Sequence, residues 1–329
     1  MKSRSMLTVI LGLFWLATPL LAQSGPFVTI DHPNSVLTRA FGINPEGDIV
    51  GLYLTANNVV HHFLAAPAAR ADSATAFTSI DFPGANGTQA WGINAPGDIV
   101  GRYFRGGASH GYLLSGGEFT TIDVPSASLT VAYGINDSGD IVGPYVSAGM
   151  THGFLLSGGE FATIDFPGAQ ATQAIAINAR GDIVGLYTTA GVTHGYLLTG
   201  GQFTTIDFTG ADATTPNGIN PRGDIVGQYT LAGRIHGFVL SGGEFTSIDL
   251  PNATLFLAAA IDPQGDIVGR YDSAGMSHGY LLSGGEFTTI DFPGAVFTVA
   301  RSINPRGDIV GIYMTGGTFH GYLLSGQRP

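Results

Sequence analysis

A histidine and an aspartate recur together along the chain. In most copies a His-Gly-aromatic segment is followed, after a Gly-Gly pair, by a Phe-x-x-Ile-Asp segment. An imidazole facing a carboxylate could transfer protons in acid–base catalysis. Catalysis needs one site with groups of distinct roles, however, whereas a structural clamp repeats in every copy. We therefore predict cross-strand hydrogen bonds with a structural role, in the pairs His61–Asp81, His110–Asp123, His152–Asp165, His194–Asp207, His236–Asp249, His278–Asp291 and His320–Asp31.

The same repeated residues are poor metal ligands. We expect each histidine on the third strand of its copy, too far from the centre for several to converge on one ion. The Asn-x-x-Gly-Asp turns echo acidic calcium loops, but each offers only two side-chain oxygens, and calcium takes six to eight ligands. We predict no metal site and no cofactor, and a weak calcium site at these turns stays open.

Ligand binding is better sought where the copies differ. Three different side chains occupy one equivalent position, namely Trp91, Tyr133 and Arg301. Another position holds Met150, Arg234 and Met276, with Phe256, Phe297 and Phe319 nearby. We place them on one face, with the loops from outer to inner strands and from second to third strands. The candidate ligand-binding residues are Trp91, Tyr133, Arg234, Arg301 and Phe319. Ordinary packing between copies is the alternative for each.

The elements that position these residues follow from a repeat. The motif Gly-Asp-Ile-Val-Gly begins at Gly47, Gly97, Gly139, Gly181, Gly223, Gly265 and Gly307, with a spacing of 42 residues after a first interval of 50. A period of this length is typical of a β-propeller blade. A β-solenoid is the main competitor, but its coils are usually shorter. No helical period is sustained after the leader segment.

One copy contains four short β-type segments separated by turn residues, at 130–135, 140–145, 152–156 and 161–165. The Gly158-Gly159 pair predicts a two-residue hairpin that sets Leu156 opposite Phe161 and Phe154 opposite Thr163. Small residues alternate with large ones in segment 130–135. Because blades crowd together near a propeller axis, we predict that this segment is the innermost strand.

The two ends of the repeat array complement each other. Residues 27–31 form an outer strand without its own blade, and residues 320–324 end a blade that lacks its outer strand. Their pairing would remove exposed sheet edges. We predict an all-β, seven-bladed propeller of four-stranded antiparallel blades, closed by the N-terminal strand, as a single domain over residues 23–329. An Ala-rich loop at 65–76 replaces the Gly-Gly turn in the first copy.

The first 22 residues have a different character. Lys2 and Arg4 precede an apolar run, and Ala22 is a small residue, so we predict a secretory signal peptide over residues 1–22 and a secreted or periplasmic protein. An uncleaved membrane anchor is the alternative. Without Lys2 and Arg4, 11 basic residues face 24 acidic ones, a net charge of −13. That balance disfavours nucleic acid and anionic membranes, and we expect a monomer with no membrane span after cleavage. The chain has no cysteine, so it needs no disulfides.

The repeated segments His-Gly-Phe-Leu-Leu, Phe-x-Thr-Ile-Asp and Gly-Ile-Asn-x-x-Gly-Asp-Ile-Val-Gly resemble the HAF family of probable extracellular repeats. The similarity runs from Phe27 to Ser325 and differs in the middle letter, which is Gly, or His62 in the first copy. The resemblance implies an exported, propeller-shaped protein of bacterial type. It implies no reaction, because the family carries no catalytic assignment.

Three functional hypotheses follow. The first is a secreted, non-enzymatic scaffold that binds an extracellular ligand, such as carbohydrate, another cell-surface polymer or a protein. The second is an extracytoplasmic glycan hydrolase or lyase with a site in the central funnel. A glycosidase needs two differently tuned carboxylates, and nearly every acid here belongs to the repeat. The third is a purely structural exported protein.

Overall fold

The computed structural model describes residues 21–22, 26–66 and 77–326. The predicted signal peptide lies outside these residues except for Leu21 and Ala22, and most of the Ala-rich loop lies outside them too. The described part is all-β, without a helix. Its strands are β1 Leu21–Ala22, β2 Phe27–Ile30, β3 Leu37–Ile43, β4 Ile49–Leu54, β5 Val60–Ala65, β6 Phe77–Ile80, β7 Gly87–Ile93, β8 Ile99–Arg105, β9 Ala108–Ser115, β10 Glu118–Ile122, β11 Leu129–Thr130, β12 Gly134–Ile135, β13 Ile141–Ser147, β14 Met150–Ser157, β15 Glu160–Ile164, β16 Ala171–Ile177, β17 Ile183–Thr189, β18 Val192–Thr199, β19 Gln202–Ile206, β20 Ala213–Ile219, β21 Ile225–Leu231, β22 Arg234–Ser241, β23 Glu244–Ile248, β24 Leu255–Ile261, β25 Ile267–Ser273, β26 Met276–Ser283, β27 Glu286–Ile290, β28 Phe297–Ile303, β29 Ile309–Thr315 and β30 Thr318–Leu324.

The strands form consecutive antiparallel units, each with the pairing order first, second, third, fourth strand. We number the units along the chain: unit 1 is β3–β6, unit 2 is β7–β10, unit 3 is β11–β15, unit 4 is β16–β19, unit 5 is β20–β23, unit 6 is β24–β27, and unit 7 is β28–β30. In unit 3, Leu156 lies opposite Phe161 and Phe154 opposite Thr163, which is the predicted register. Gly158 and Gly159 have φ values of 58° and 84°, the left-handed conformation that this hairpin requires.

The N-terminal strand belongs to the last unit. β2 pairs antiparallel with β30, with Phe27 opposite Leu324 and Ile30 opposite Gly321. Asp31 then accepts a hydrogen bond from Nδ1 of His320 at 2.8 Å. β1 forms a short parallel pairing with β27 of unit 6. The unit that ends the chain is thus completed by residues that begin the array.

The two glycines of Gly-Asp-Ile-Val-Gly have different physical roles. The first takes a positive φ in a tight turn, 92° at Gly223 for example. The second lies on the second strand, where backbone and aromatic ring approach closely. A Cβ at Gly227 would lie 2.2 Å from the carbonyl oxygen of Thr215 and 2.8 Å from the Phe238 ring. No side chain fits there, so the motif is a packing requirement of the unit.

The core is shared between neighbouring units. Val142 of unit 3 is fully buried and packs with Ala174, Ile183, Tyr187 and Tyr196 of unit 4. The same arrangement joins the two ends of the array, because Val310 of unit 7 packs into the apolar cluster of unit 1. Each unit therefore completes its core only beside the next one, as expected for repeat architectures.

The first strands of the units form an inner wall. Each contacts the first strands of both adjacent units, and β28 of unit 7 contacts β3 of unit 1. This confirms the placement of the first strand as innermost within each four-stranded sheet. In six units a β-bulge interrupts the pairing of this strand with the second one, as at Arg301 between Ala300 and Ser302. The bulged residue has no cross-strand partner.

Unit 3 departs from the continuous first strand predicted at 130–135. Its first strand is split into β11 and β12, and Val131 N–H donates to Pro144 O at 3.0 Å between them. Pro144 replaces a residue with a backbone N–H on the second strand, so one ladder hydrogen bond cannot form. The backbone N–H of Tyr133 still donates to Val142 O at 2.8 Å, so Tyr133 keeps its predicted place beside the second strand.

Candidate functional site

The histidine–aspartate pairs are hydrogen-bonded in every unit. Nδ1 of the histidine lies 2.8–3.1 Å from a carboxylate oxygen in the pairs named above. Each histidine ring also stacks on the tyrosine of the second strand, as His194 does on Tyr187 with ring centroids 5.0 Å apart. The pairs are distributed one per unit and face one another nowhere as a group. This arrangement supports the structural interpretation of the pairs.

The turn face of the molecule is built by the repeated Asn-x-x-Gly-Asp turns. Asn178 accepts the backbone N–H of Asp182 at 3.0 Å, and its Nδ2 donates to the Asp182 carboxylate at 3.0 Å and to Asn220 O of unit 5 at 3.1 Å. The same bond between units recurs around the array, and Asn304 of unit 7 donates to Asn44 O of unit 1 at 3.1 Å. Unit 6 has Asp262 at this position, and its Oδ1 accepts the backbone N–H of Asp266 at 2.9 Å.

The turn aspartates are held by these bonds. Burial raises the pKa of the Asp182 carboxyl, but hydrogen bonds from Thr199, Asn178 and Arg180 outweigh it and leave the pKa below its ordinary value. Within the ranges that the structure describes, no three histidine or acidic side chains come together in a way that could hold a metal ion.

The inner wall carries the variable residues. Trp91 and Arg301 lie on first strands, and Tyr133 lies at the equivalent position between β11 and β12. In chain order this inner-wall position holds Phe41, Trp91, Tyr133, Ile175, Asn217, Ala259 and Arg301. Trp91 is 44% exposed and meets Tyr133 of the next unit edge to face, with ring centroids 5.8 Å apart. Asn217 donates to Ala258 O of unit 6 at 2.9 Å.

The other candidates lie in different surroundings. Arg234 begins the third strand of unit 5, off the inner wall, and its guanidinium donates to Ala253 O. Phe319 begins the third strand of unit 7 and contacts Phe297, with centroids 5.6 Å apart. Phe256 is fully buried against Tyr280 and serves core packing. Met150 and Met276 are exposed at the hairpins between second and third strands, and Met150 borders a shallow groove beside His152 and Phe166.

Sequence reasoning missed two arginines near Phe319. Arg39 of unit 1 lies over the Phe319 ring at 4.4 Å, and Arg270 of unit 6 lies over the Phe297 ring at 5.6 Å. Both charges act on a third arginine: burial first, and then the charges of Arg270 and Arg39, lower the pKa of the Arg301 guanidinium. The available signal was Arg39, at a position where other units hold Gln, Leu, Thr or Val, and Arg270, at a position where most other units hold Leu, Gln, Pro or Ile.

Solved structures with the same arrangement of strands establish the fold class. The propeller domain of the Trilobed protease from Pyrococcus furiosus, described as a β-propeller with an open velcro topology, superposes with a TM-score of 0.62 at 11% identity, covering 88% of this chain and 96% of that one. The fold is a β-propeller. Virginiamycin B lyase from Staphylococcus aureus superposes with a TM-score of 0.57 at 15% identity, covering 91% of this chain and 99% of the lyase.

At such low identity these propellers share the fold with this chain and nothing more specific. No family model matches the sequence, and no curated protein matches it either. Among the described residues, none belongs to a helix long and apolar enough to cross a membrane.

Proposed function

We propose that the propeller has seven blades in a closed ring. The seven motif copies, the pairing of β2 with β30, and the contact between β28 and β3 support this count and this closure. The hydrogen bond from Asn304 to Asn44 O joins the last blade to the first in the same way as units 1 to 5 are each joined to the next unit. Closure of the ring predicts that the protein loses stability when residues 23–32 are deleted, and unchanged unfolding would contradict it.

We propose that this propeller is an exported, non-enzymatic scaffold that binds a ligand at the mouth of the inner wall. The observation that carries this proposal is the divergence of the inner-wall position among units that are otherwise nearly identical. Its side chains in three consecutive units form an aromatic arc, Phe41, Trp91 and Tyr133, and Arg301 belongs to unit 7, which adjoins unit 1. Divergence at the centre of a symmetric frame creates one asymmetric site.

The aromatic arc favours a ligand with an apolar face. Trp91 exposes much of its ring beside Tyr133, and flat aromatic surfaces of this kind stack on sugar rings and other planar groups. A carbohydrate or another cell-surface polymer is the ligand class that we favour, because shallow contacts gain from multivalency along a polymer. A protein partner is the alternative occupant.

Binding is favoured over catalysis by the chemistry of the inner wall. The seven inner-wall positions carry no carboxylate and no imidazole. The glutamates lie in the turns and hairpins of the other face, and the seven repeated histidines are engaged with their aspartates. A hydrolase or lyase would need groups of distinct roles at the mouth.

Export is tested separately from binding. We propose that residues 1–22 are removed on export and that the protein resides outside the cytoplasm as a monomer. N-terminal sequencing of protein recovered from the periplasm or the medium should begin at Gln23. Recovery of unprocessed chain from the cytoplasm would contradict the proposal.

The binding proposal is tested with a glycan and polymer array and the chain from residue 23 onward. We expect binding to a subset of polymers that falls in Trp91→Ile, because unit 4 holds Ile175 at the same position. Phe161→Leu is the matched control, since Phe161 is also a partly exposed aromatic but lies on an outer strand. Turnover of a glycan, or equal loss in both variants, would overturn the proposal.

A further inference from the structure

Three arginines from three consecutive units gather at one place, two on the inner wall and one on the neighbouring second strand of unit 6. Arg270 belongs to unit 6, Arg301 to unit 7 and Arg39 to unit 1. The protein carries 24 acidic and 13 basic residues, so a group of like positive charges is unexpected. The arrangement is not a general feature of its arginines. Arg180, Arg222 and Arg306 pair with turn aspartates on the opposite face.

Two of the three guanidinium groups are fixed by aromatic rings. Phe297 and Phe319 of unit 7 meet edge to face at 5.6 Å, with Arg270 over the Phe297 ring and Arg39 over the Phe319 ring. Cation–π contacts of this kind hold the guanidinium plane in place without consuming its N–H donors. The side chains are therefore oriented before any ligand arrives, which lowers the entropic cost of binding.

The donors of this cluster are underused. The Nε atoms of Arg39 and Arg270 are buried and have no hydrogen-bond partner. Within the described ranges, one carboxylate is hydrogen-bonded to the group: Asp272 accepts from Arg270 at 3.0 Å and also accepts from Ser277 Oγ at 2.7 Å. One negative charge thus faces three guanidinium groups. A buried donor without an acceptor costs free energy, and a bound oxyanion would supply the acceptor.

We propose that Arg39, Arg270 and Arg301 form a binding site for an oxyanion, a carboxylate, sulfate or phosphate group carried by the ligand. The guanidinium fork matches such groups with two parallel hydrogen bonds. Burial is the main reason that the pKa of Arg301 is lowered, and the further repulsion from Arg270 and Arg39 would be relieved by the incoming charge. This inference rests on the proposed binding function, because it places a negatively charged group of the ligand in the same site that the aromatic arc lines.

The chain itself supplies a tryptophan reporter and fold-compatible substitutions. Trp91 is the single tryptophan after residue 22 and lies on the same inner wall, so its fluorescence can report ligand entering the mouth. Other units hold Gln89, Gln228 and Asn217 at positions equivalent to the three arginines. The test variant is therefore Arg39→Gln, Arg270→Gln, Arg301→Asn combined. Arg222→Gln is the control, because unit 6 has Gln264 there on the opposite face.

The experiment titrates the processed protein with four probes at low ionic strength: oligogalacturonate, its methyl-esterified neutral form, a sulfated oligosaccharide and inorganic phosphate. We expect oligogalacturonate or the sulfated probe to bind, and binding to weaken at least about tenfold in the triple variant and less than about twofold in Arg222→Gln. Binding of phosphate alone, with the same arginine dependence, would support the site and identify a free anion as its occupant. Thermal unfolding of each variant checks that the fold is kept.

Two outcomes would overturn the site. One is equal affinity for the charged and the esterified oligosaccharide, or an unchanged affinity in the triple variant. The other is no response to any anionic probe, measured also by calorimetry so that a silent tryptophan does not decide the result. Neutral glycans that bind through Trp91 would in that case still support the scaffold proposal. Phosphate binding without any glycan binding would support the anion site and contradict the glycan-binding proposal.

Discussion

The two faces of this propeller use the same repeat for different purposes. On the turn face, each unit presents nearly the same Asn, Gly and Asp, and each asparagine bonds to the next unit. On the inner wall, by contrast, one equivalent position changes from Trp91 to Ala259 to Arg301. Repeated residues are bound to one another, whereas divergent ones leave aromatic surface and N–H donors unengaged. Symmetry therefore marks what holds the ring together, and its local loss marks where a ligand can bind.

Histidines show the same contrast within one residue type. The seven histidines that repeat are clamped by aspartates at the blade edge. His62 occurs only in unit 1, where other units have a glycine such as Gly111. It is buried, and its Nδ1 accepts the backbone N–H of Ala90 in unit 2 at 3.1 Å. Divergence here serves packing, so a departure from the repeat indicates function only where it is exposed at the mouth.

The largest effect should come from the repeat itself. Gly227→Ala places a Cβ against Thr215 O and the Phe238 ring, and we expect it to lower the free energy of unfolding by about 3 kcal/mol or more. The measurement is denaturant unfolding followed by circular dichroism. Gly201→Ala is the control, since that hairpin glycine has open space around it and its positive φ costs about 1 kcal/mol. Equal losses in both variants would show that close approach does not explain the motif.

His62 predicts a pH dependence of stability. Burial first, and then the charge of His61, lower the pKa of His62 from 6.5 to about 4. Because the unfolded chain binds the proton more tightly, stability is fully present above pH 6.5 and falls as the pH drops towards 4. The loss should amount to about 3 kcal/mol. The measurement compares unfolding of the parent with His62→Gly, the residue of most other units, between pH 7 and pH 4. Parallel curves would contradict the assignment.

A charge introduced into the turn face should have an intermediate effect. Asn178→Asp removes the donated bonds to Asp182 and to Asn220 O and adds a carboxylate beside Asp182. We expect a loss of about 2 kcal/mol in the free energy of unfolding at pH 7. Ala179→Asp adds the same charge one residue later at an exposed position, where unit 3 already has Asp137, and should cost little. A loss of similar size in both variants would assign the effect to net charge and not to the bonds between units.

Much of the fold could be predicted from the sequence, because the turn residues determine the strand register locally and the period identifies the repeated unit. The Gly-Gly hairpin gives the register of His152 and Asp165, and the incomplete ends of the array predict the pairing of β2 with β30. The equivalence of Trp91, Tyr133 and Arg301 was also readable. The arginine cluster was not, because Arg39 meets Phe319 across the seam between the two ends of the array, 280 residues apart in the chain. The break in the first strand of unit 3 was predictable from Pro144, because proline has no backbone N–H to donate to the neighbouring strand.

The smallest effect should come from the hairpins of the mouth face. Ala190 takes a φ of 49° in the turn between β17 and β18, where units 2 and 7 have Gly106 and Gly316. A left-handed alanine is strained, so Ala190→Gly should raise the free energy of unfolding by about 0.5–1 kcal/mol. Ala179→Gly is the control for the added flexibility of the unfolded chain and should not stabilise. A higher free energy of unfolding for Ala190→Gly would show that this hairpin of the mouth face keeps backbone strain, which the Gly-Gly hairpins of the turn face avoid. A lower value would contradict this difference between the two faces.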